Sequence, residues 1–215
     1  YRVPSVDLEL KAWEGFVRRL TLLPGGYWGI EGRIKGSVEG AYADGKLTAA
    51  GTISYREGRL NLPERKLAAE GVEADFEFID FDKIRSKPGT VRVREQRSGD
   101  LTVTDNEAGQ EIQGLEKIIV HRASLRALGG TLAAEPFVFR LNQSELEATL
   151  LVDGLDVAQA LALAKDIPAQ ATGRVDGRLP IRIDSGGLRL GTGWLALKAG
   201  VHAEVQFKAA GLLTG

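Results

Sequence analysis

Alternation is the feature that most constrains this chain. Apolar and polar residues exchange places at every second position along most of its length, the pattern of strands whose successive side chains point to opposite faces. Trp28, Ile30, Ile34, Val38 and Tyr42 share one parity, while Glu31, Arg33, Lys35, Ser37 and Glu39 share the other. Asp44-Gly45 suits a hairpin because both residues tolerate positive φ. Alternation then resumes with Leu47, Ala49, Ile53 and Tyr55, and Glu57-Gly58 reads as the next turn.

The same reading predicts strands over 72–78, 91–94, 101–104, 118–125, 137–141, 145–152, 175–183, 188–197 and 201–207. Turn-rich pieces separate them, among them Lys87-Pro88-Gly89, Ser98-Gly99-Asp100, the run Asp105 to Gly109, and Asp184 to Gly187. The expected fold is mainly β, an antiparallel meander. Asp156 can N-cap the Ala- and Leu-rich run Val157 to Ala164, which ends before Pro168, so a short helix is expected there. Trp13 to Leu23 fits a second short helix or an entry strand. Ile34 to Gly40 echoes Ala171 to Gly177, and Gly51 to Gly58 echoes Gly193 to Gly200 in the same order, suggesting repeated strand-turn-strand units.

Composition removes several functions. With 28 basic and 29 acidic side chains in 215 residues, the net charge of −1 gives no broad attraction for phosphate backbones, so nucleic acid is not an expected partner. The absence of cysteine excludes disulfides, thiolate zinc sites, iron-sulfur clusters and cysteine nucleophiles. No uninterrupted apolar run reaches the ~18 residues of a membrane-spanning helix. The first residues, Tyr1-Arg2-Val3-Pro4, carry no signal-peptide core. Residues 1–215 are therefore read as one β-rich domain, a segment of something longer.

Catalytic motifs are weak. Gly191-Thr192-Gly193-Trp194-Leu195-Ala196 matches a dinucleotide-binding fingerprint, but that pattern needs a helix after it, and here a strand is expected. Glu73, Asp75 and Glu77, followed by Asp80 and Asp82, fit half a calcium site or an acid/base pair; a solvated strand face fits them better, since acids are common in this chain and a cation site needs ligands from elsewhere. His121 and His202 lack neighbouring motifs. No catalytic residue, cofactor or metal is expected.

The remaining signal is distributed. One parity is apolar in strand after strand: Ile30, Ile34 and Val38; Phe76 and Phe78; Phe137 and Phe139; Leu146, Leu150 and Val152. It continues through Leu179, Ile181 and Ile183, then Leu188, Leu190 and Trp194, and finally Val201, Val205 and Phe207. Such a sheet covers its face with a second layer, closes on itself, or holds an apolar ligand. Glycines at apolar positions favour coiling.

From Gly173-Arg174-Val175-Asp176-Gly177-Arg178-Leu179-Pro180, through Gly186-Gly187-Leu188, to Gly193-Trp194-Leu195-Ala196 and Gly200, the chain resembles the YdbH-like branch of the AsmA-like superfamily. Leu128-Gly129-Gly130-Thr131-Leu132 with Pro136, Gly154-Leu155-Asp156-Val157, and Gly71 to Phe76 are similar to other idioms of that family, and the resemblance spans about residues 28–207. It implies a periplasmic envelope protein of Gram-negative bacteria, similar to AsmA and TamB proteins and anchored in the inner membrane. Its fold would be an elongated, strongly curved antiparallel sheet, a taco-like groove that carries phospholipid or fatty acyl chains between membranes. At ~0.8 kcal/mol per CH₂, a roughly 16-carbon chain costs about 13 kcal/mol to expose, so such a groove needs a continuous apolar lining. On this reading the apolar parity above lines the groove. The family's catalogue name, dicarboxylate transport domain, has no counterpart in any residue here. The resemblance also implies a small outer-membrane lipoprotein partner, which could add a strand at the edge Val201 to Phe207.

Overall fold

A computed structural model describes residues 2–10, 29–43, 46–63, 66–140, 143, 145–163, 169–184 and 187–207. The first half contains β1 (Arg2–Glu9), β2 (Gly29–Ala43), β3 (Lys46–Leu62), β4 (Leu67–Asp80), β5 (Arg85–Ser86), β6 (Gly89–Ser98), β7 (Leu101–Ile112) and β8 (Lys117–Ala127). The second half contains β9 (Gly130–Ala134), β10 (Phe137–Arg140), β11 (Leu146–Asp156), helix α1 (Val157–Leu163), β12 (Ala169–Thr172) and β13 (Arg174–Asp184), then β14 (Gly187–Leu190), β15 (Trp194–Leu197) and β16 (Glu204–Phe207). The expected hairpin at Asp44-Gly45 and the segment Trp13 to Leu23 lie outside the described residues.

Fourteen strands form one antiparallel sheet in the order β1-β2-β3-β4-β6-β7-β8-β9-β11-β13-β14, with β5 on β4, β10 on β8 and β15 on β13. The path does not return on itself, so the sheet is open and the fold is mainly β as the alternation requires. The helix begins where expected: the Asp156 carboxylate accepts hydrogen bonds from the backbone N–H groups of Ala158 (2.9 Å) and Gln159 (3.2 Å), satisfying two donors that a helix start otherwise leaves open.

Three expectations fail in instructive ways. Glu57-Gly58 and the run Asp105 to Gly109 are not turns, because β3 and β7 pass straight through them. Two residues of β3 stand opposite Gly32 of β2, where the register steps from Glu31↔Arg59 to Arg33↔Arg56. Across the sheet, Asp105 and Asn106 of β7 stand opposite one residue of β8, between Thr104↔Arg126 and Glu107↔Ser124. Between these two steps the β4–β6 and β6–β7 pairs keep one register, which sets Gly71, Arg94 and Asp105 side by side. Glu57, Gly71 and Asp105 take left-handed φ of 53°, 63° and 51°. One extra residue per strand thus crosses four neighbouring strands in a line. Each bulge bends its strand and reverses which parity faces which side.

The third failure concerns residues 188–197, read as one strand. Gly191-Thr192-Gly193 divides them into β14 and β15, which pair with different halves of β13. A Cβ on Gly193 would stand 2.3 Å from the Arg178 carbonyl oxygen, so this glycine serves close backbone approach between strands.

The echoed segments do lie on antiparallel partners, β2 with β3 and β13 with β15. Their registers differ, however: Val38 faces Gly51, whereas its counterpart Val175 faces Leu197 rather than Gly193.

Little of the apolar surface is sealed. Leu62, Ala69, Phe78, Val103, Val120 and Val152 are among the buried side chains, but no large side chain is fully buried among the described residues. The exposed surface totals 14,923 Å², about one and a half times the ~9,700 Å² of a compact monomer of this mass.

Candidate apolar binding face

Directly paired residues on antiparallel strands present their side chains to the same face, so the register can be followed across the sheet. Leu8 of β1 faces Ile34 of β2, which faces Tyr55 of β3, then Ala74 of β4 and Val91 of β6. From Val91 the row continues through Ala108 of β7, Ala123 of β8, Ala134 of β9, Leu150 of β11 and Leu179 of β13. Ten consecutive strands contribute one residue each, none charged and every one half-buried. A sandwich or closed barrel would bury such a row; here the open sheet leaves it accessible.

A second row lies beyond the line of bulges: Ile30, Leu60, Ala69, Gln96, Val103, Ala127 and Gly130 are matched in turn. It too carries no charge. At the centre of the first row a cavity of about 210 Å³ is lined by Val91, Val93, Ala108, Ala123, Leu132 and Leu150 with their neighbours. The three alanines, Ala108, Ala123 and Ala134, make the floor shallow, while Val91 and Leu150 stand at its two ends.

The opposite face is built from ion pairs. Glu107 bonds both Arg92 and Arg122 at 3.1 Å, Arg178 makes a two-pronged contact with Glu135 at 2.9 Å, and Lys198 reaches Asp153 and Asp176. Glu73, Asp75 and Glu77 belong to this face. Asp75 accepts hydrogen bonds from Arg56 (2.6 Å) and Ser54 (2.8 Å), Glu77 pairs with Lys87 at 2.7 Å, and Glu73 faces Arg92 in register. The Arg56 guanidinium holds the Asp75 carboxyl below the usual carboxylate range, which suits an ion pair rather than an acid at work. Among the described residues no group of His, Asp and Glu is arranged to hold a metal ion. His121 contacts Glu111 at 3.5 Å on the strand exterior.

Most of the apolar residues singled out from the sequence meet in register. Val38 faces Val3 and Gly51, Phe76 faces Ile53, and Phe78 faces Gly51. Phe137 and Phe139 of β10 face Val120 and Ile118. Leu146 pairs with Ile183, which pairs with Leu188, and Ile181 pairs with Leu190.

One residue departs from the expected parity and three lie off the main sheet. Trp194 faces Arg178 in register, on the ion-paired side, because the Gly191-Thr192-Gly193 break resets the strand; Leu195 and Leu197 take the apolar side instead, opposite Gly177 and Val175. Val205 and Phe207 lie on β16, whose only pairing among the described residues is with β12, in a separate two-stranded ribbon. Val201 is outside any strand. The sheet's C-terminal edge is therefore β14 and β15, not residues 201–207. Val91, Ala108, Ala123 and Ala134 escaped sequence reasoning, since alanine fits either face and only the register brings these residues into line.

No helix among the described residues is long and apolar enough to cross a membrane. Comparison with curated proteins and with solved structures gives no significant match. The family model described as "YdbH-like: Intermembrane phospholipid transport protein YdbH" matches residues 5–201, which takes in the whole apolar row from Leu8 to Leu179. The chain belongs to the YdbH-like family of intermembrane phospholipid transport proteins.

Proposed function

We propose that this chain is a non-enzymatic segment of a phospholipid conduit, one β-rich unit whose uncharged face receives acyl chains and passes them between the inner and outer membranes. The observation that carries the reading is the row from Leu8 to Leu179, ten strands long with no charge. At ~4.8 Å per strand spacing its nine intervals span about 43 Å. Methylene groups gain free energy wherever they leave water and lose it on meeting an unpaired charge, so a chain can shift along such a row without a barrier at any one strand. The ion pairs of the other face keep the sheet's back in water. The periplasm is the compartment this activity requires, with the full-length protein anchored in the inner membrane. A small outer-membrane lipoprotein is a fitting partner by strand addition, at the edge formed by β14 and β15.

The test is mass spectrometry of an organic extract from the purified chain after incubation with phospholipid vesicles. Phospholipid should be retained by the wild type. It should be largely lost from Ala108→Asp, Phe137→Asp and Ile181→Asp while far-ultraviolet circular dichroism stays unchanged. A clean wild-type extract, or full retention by all three folded variants, would overturn the reading.

A further inference from the structure

The central apolar cavity contains one side chain that its surroundings do not explain. Asn106 of β7 borders it beside Val91, Val93, Ala108, Leu125 and Leu132. Glu107 and Ser124 also border it, but they face each other on the ion-paired side, where Glu107 holds Arg92 and Arg122. Asn106 is paired with Val93, and Val93 with Val72, so its side chain belongs to the apolar face, half-buried. The carboxamide has no hydrogen-bond partner among the described residues. An amide offers two N–H donors and one carbonyl acceptor, and no buried side-chain polar atom among the described residues lacks a partner, so this carboxamide stands open to a ligand at the edge of an otherwise apolar lining.

Its position along the sheet is informative. The cavity runs from Val91 on β6 to Leu150 on β11, and its stretch from Asn106 on β7 to Leu150 crosses three strand spacings, about 14 Å. That matches the ~15 Å depth of one leaflet, half of a ~30 Å bilayer core. A lipid tail laid along Ala108, Ala123, Ala134 and Leu150 would bring its carbonyl end to Asn106.

We propose that Asn106 is the polar anchor of an acyl-lipid site: its amide N–H donates to the acyl carbonyl oxygen of a chain lying in the cavity and so fixes where that chain stops. This inference rests on the acyl-binding reading above and adds a ligand group and a residue to it. The carbonyl can belong to a phospholipid ester or to a free fatty acid.

The experiment incubates the chain with vesicles holding equal amounts of diacyl phosphatidylcholine and its dialkyl-ether analogue, which has the same tails and headgroup but no carbonyl. The retained lipids are then quantified by mass spectrometry. The wild type should favour the diacyl lipid by about three- to tenfold, the worth of one hydrogen bond. Asn106→Leu should retain the two lipids in equal amounts, its diacyl retention falling to the ether level. The wild-type ratio is informative even if Asn106→Leu fails to fold. In a further arm palmitic acid competes with the diacyl lipid: displacement from the wild type assigns the anchor to any acyl carbonyl, and resistance assigns it to the ester. Equal uptake of diacyl and ether lipid by the wild type overturns the anchor while leaving the conduit standing. Uptake of neither lipid overturns the conduit and the anchor together.

Discussion

The ring of Tyr55 occupies the space that a side chain on Gly32 would need: a Cβ there would lie 2.5 Å from Tyr55 Cε2. The same ring blocks Gly58 from its other edge, at 2.4 Å, and its hydroxyl donates to the Glu31 carbonyl oxygen. Tyr55 therefore locks the bulge at which the extra residue of β3 enters the sheet.

Gly32→Ala should destabilise the fold by more than about 2 kcal/mol, since φ of +138° and the Tyr55 contact both oppose a side chain. Gly99→Ala provides the comparison. It is also left-handed, at +58°, but a Cβ there meets nothing within 4 Å, so only backbone strain of about 1 kcal/mol applies. Tyr55→Phe should cost about 1 kcal/mol through the lost hydrogen bond. Burial first, then the charge of Glu31, raises the phenol's pKa above its ordinary value. This raised group contributes fully below the unfolded value near 10, and its contribution is lost as pH rises through the folded value. Urea unfolding between pH 8 and 11 should show a decline that Tyr55→Phe reduces.

On the opposite face the sign reverses. The hydrogen bond from Arg56 lowers the Asp75 pKa, and that from Ser54 adds to it. A depressed carboxyl contributes stability above its unfolded value near 3.8 and loses it as pH falls through the folded value. Asp75→Asn should flatten the acid limb of the stability profile below about pH 4 and leave lipid retention intact. Because the pair is well exposed, the effect at neutral pH should stay below about 1 kcal/mol. A large loss of retention in Asp75→Asn would mean that the two faces are coupled.

How much of this was legible beforehand depends on the residue. Parity alone is enough to group Phe137, Phe139, Leu146 and Ile181, because the register on either side of each is continuous. Glu57-Gly58 and Asp105-Asn106 misled because acidic, amide and glycine residues suit turns and bulges alike: both require left-handed φ. The sheet absorbs these residues as a bulge line, which only pairing on both sides of each strand reveals. Trp194 was misplaced for a related reason, since parity cannot be carried across Gly191-Thr192-Gly193. Asn106 was invisible as a site, being one polar residue in a stretch read as loop.

Phe78 tests the small sealed part of the structure. It is 8% exposed, stacks on Phe81 at 4.9 Å between ring centroids and lies 6.2 Å from Phe76. Nearby, the buried Ser86 hydroxyl accepts from the Ile112 N–H at 3.0 Å. Phe78→Ala should cost about 3–5 kcal/mol, measured by urea unfolding. Leu190→Ala, at a side chain 66% exposed, should cost less than about 1 kcal/mol.

The final prediction concerns the edge. β15 pairs with β13 on one side only among the described residues, and its Trp194, Leu195 and Leu197 are 58%, 49% and 58% exposed. Leu190, from the other edge strand, adds to this surface. An edge strand presents unpaired N–H and C=O groups, and one flanked by apolar side chains has nothing to discourage pairing with another chain. The isolated segment should therefore self-associate through β15. Leu195→Lys with Leu197→Lys should shift it toward monomer in sedimentation velocity, because two charges carried into a paired edge lose their water. The cavity between β6 and β11 lies away from this edge, so the double variant should keep its bound lipid. If it stays associated, the contact lies elsewhere, with the β12–β16 ribbon the next place to mutate. If lipid is lost along with association, the acyl chain is held between two copies rather than along one sheet, and the row from Leu8 to Leu179 would be half of a shared site.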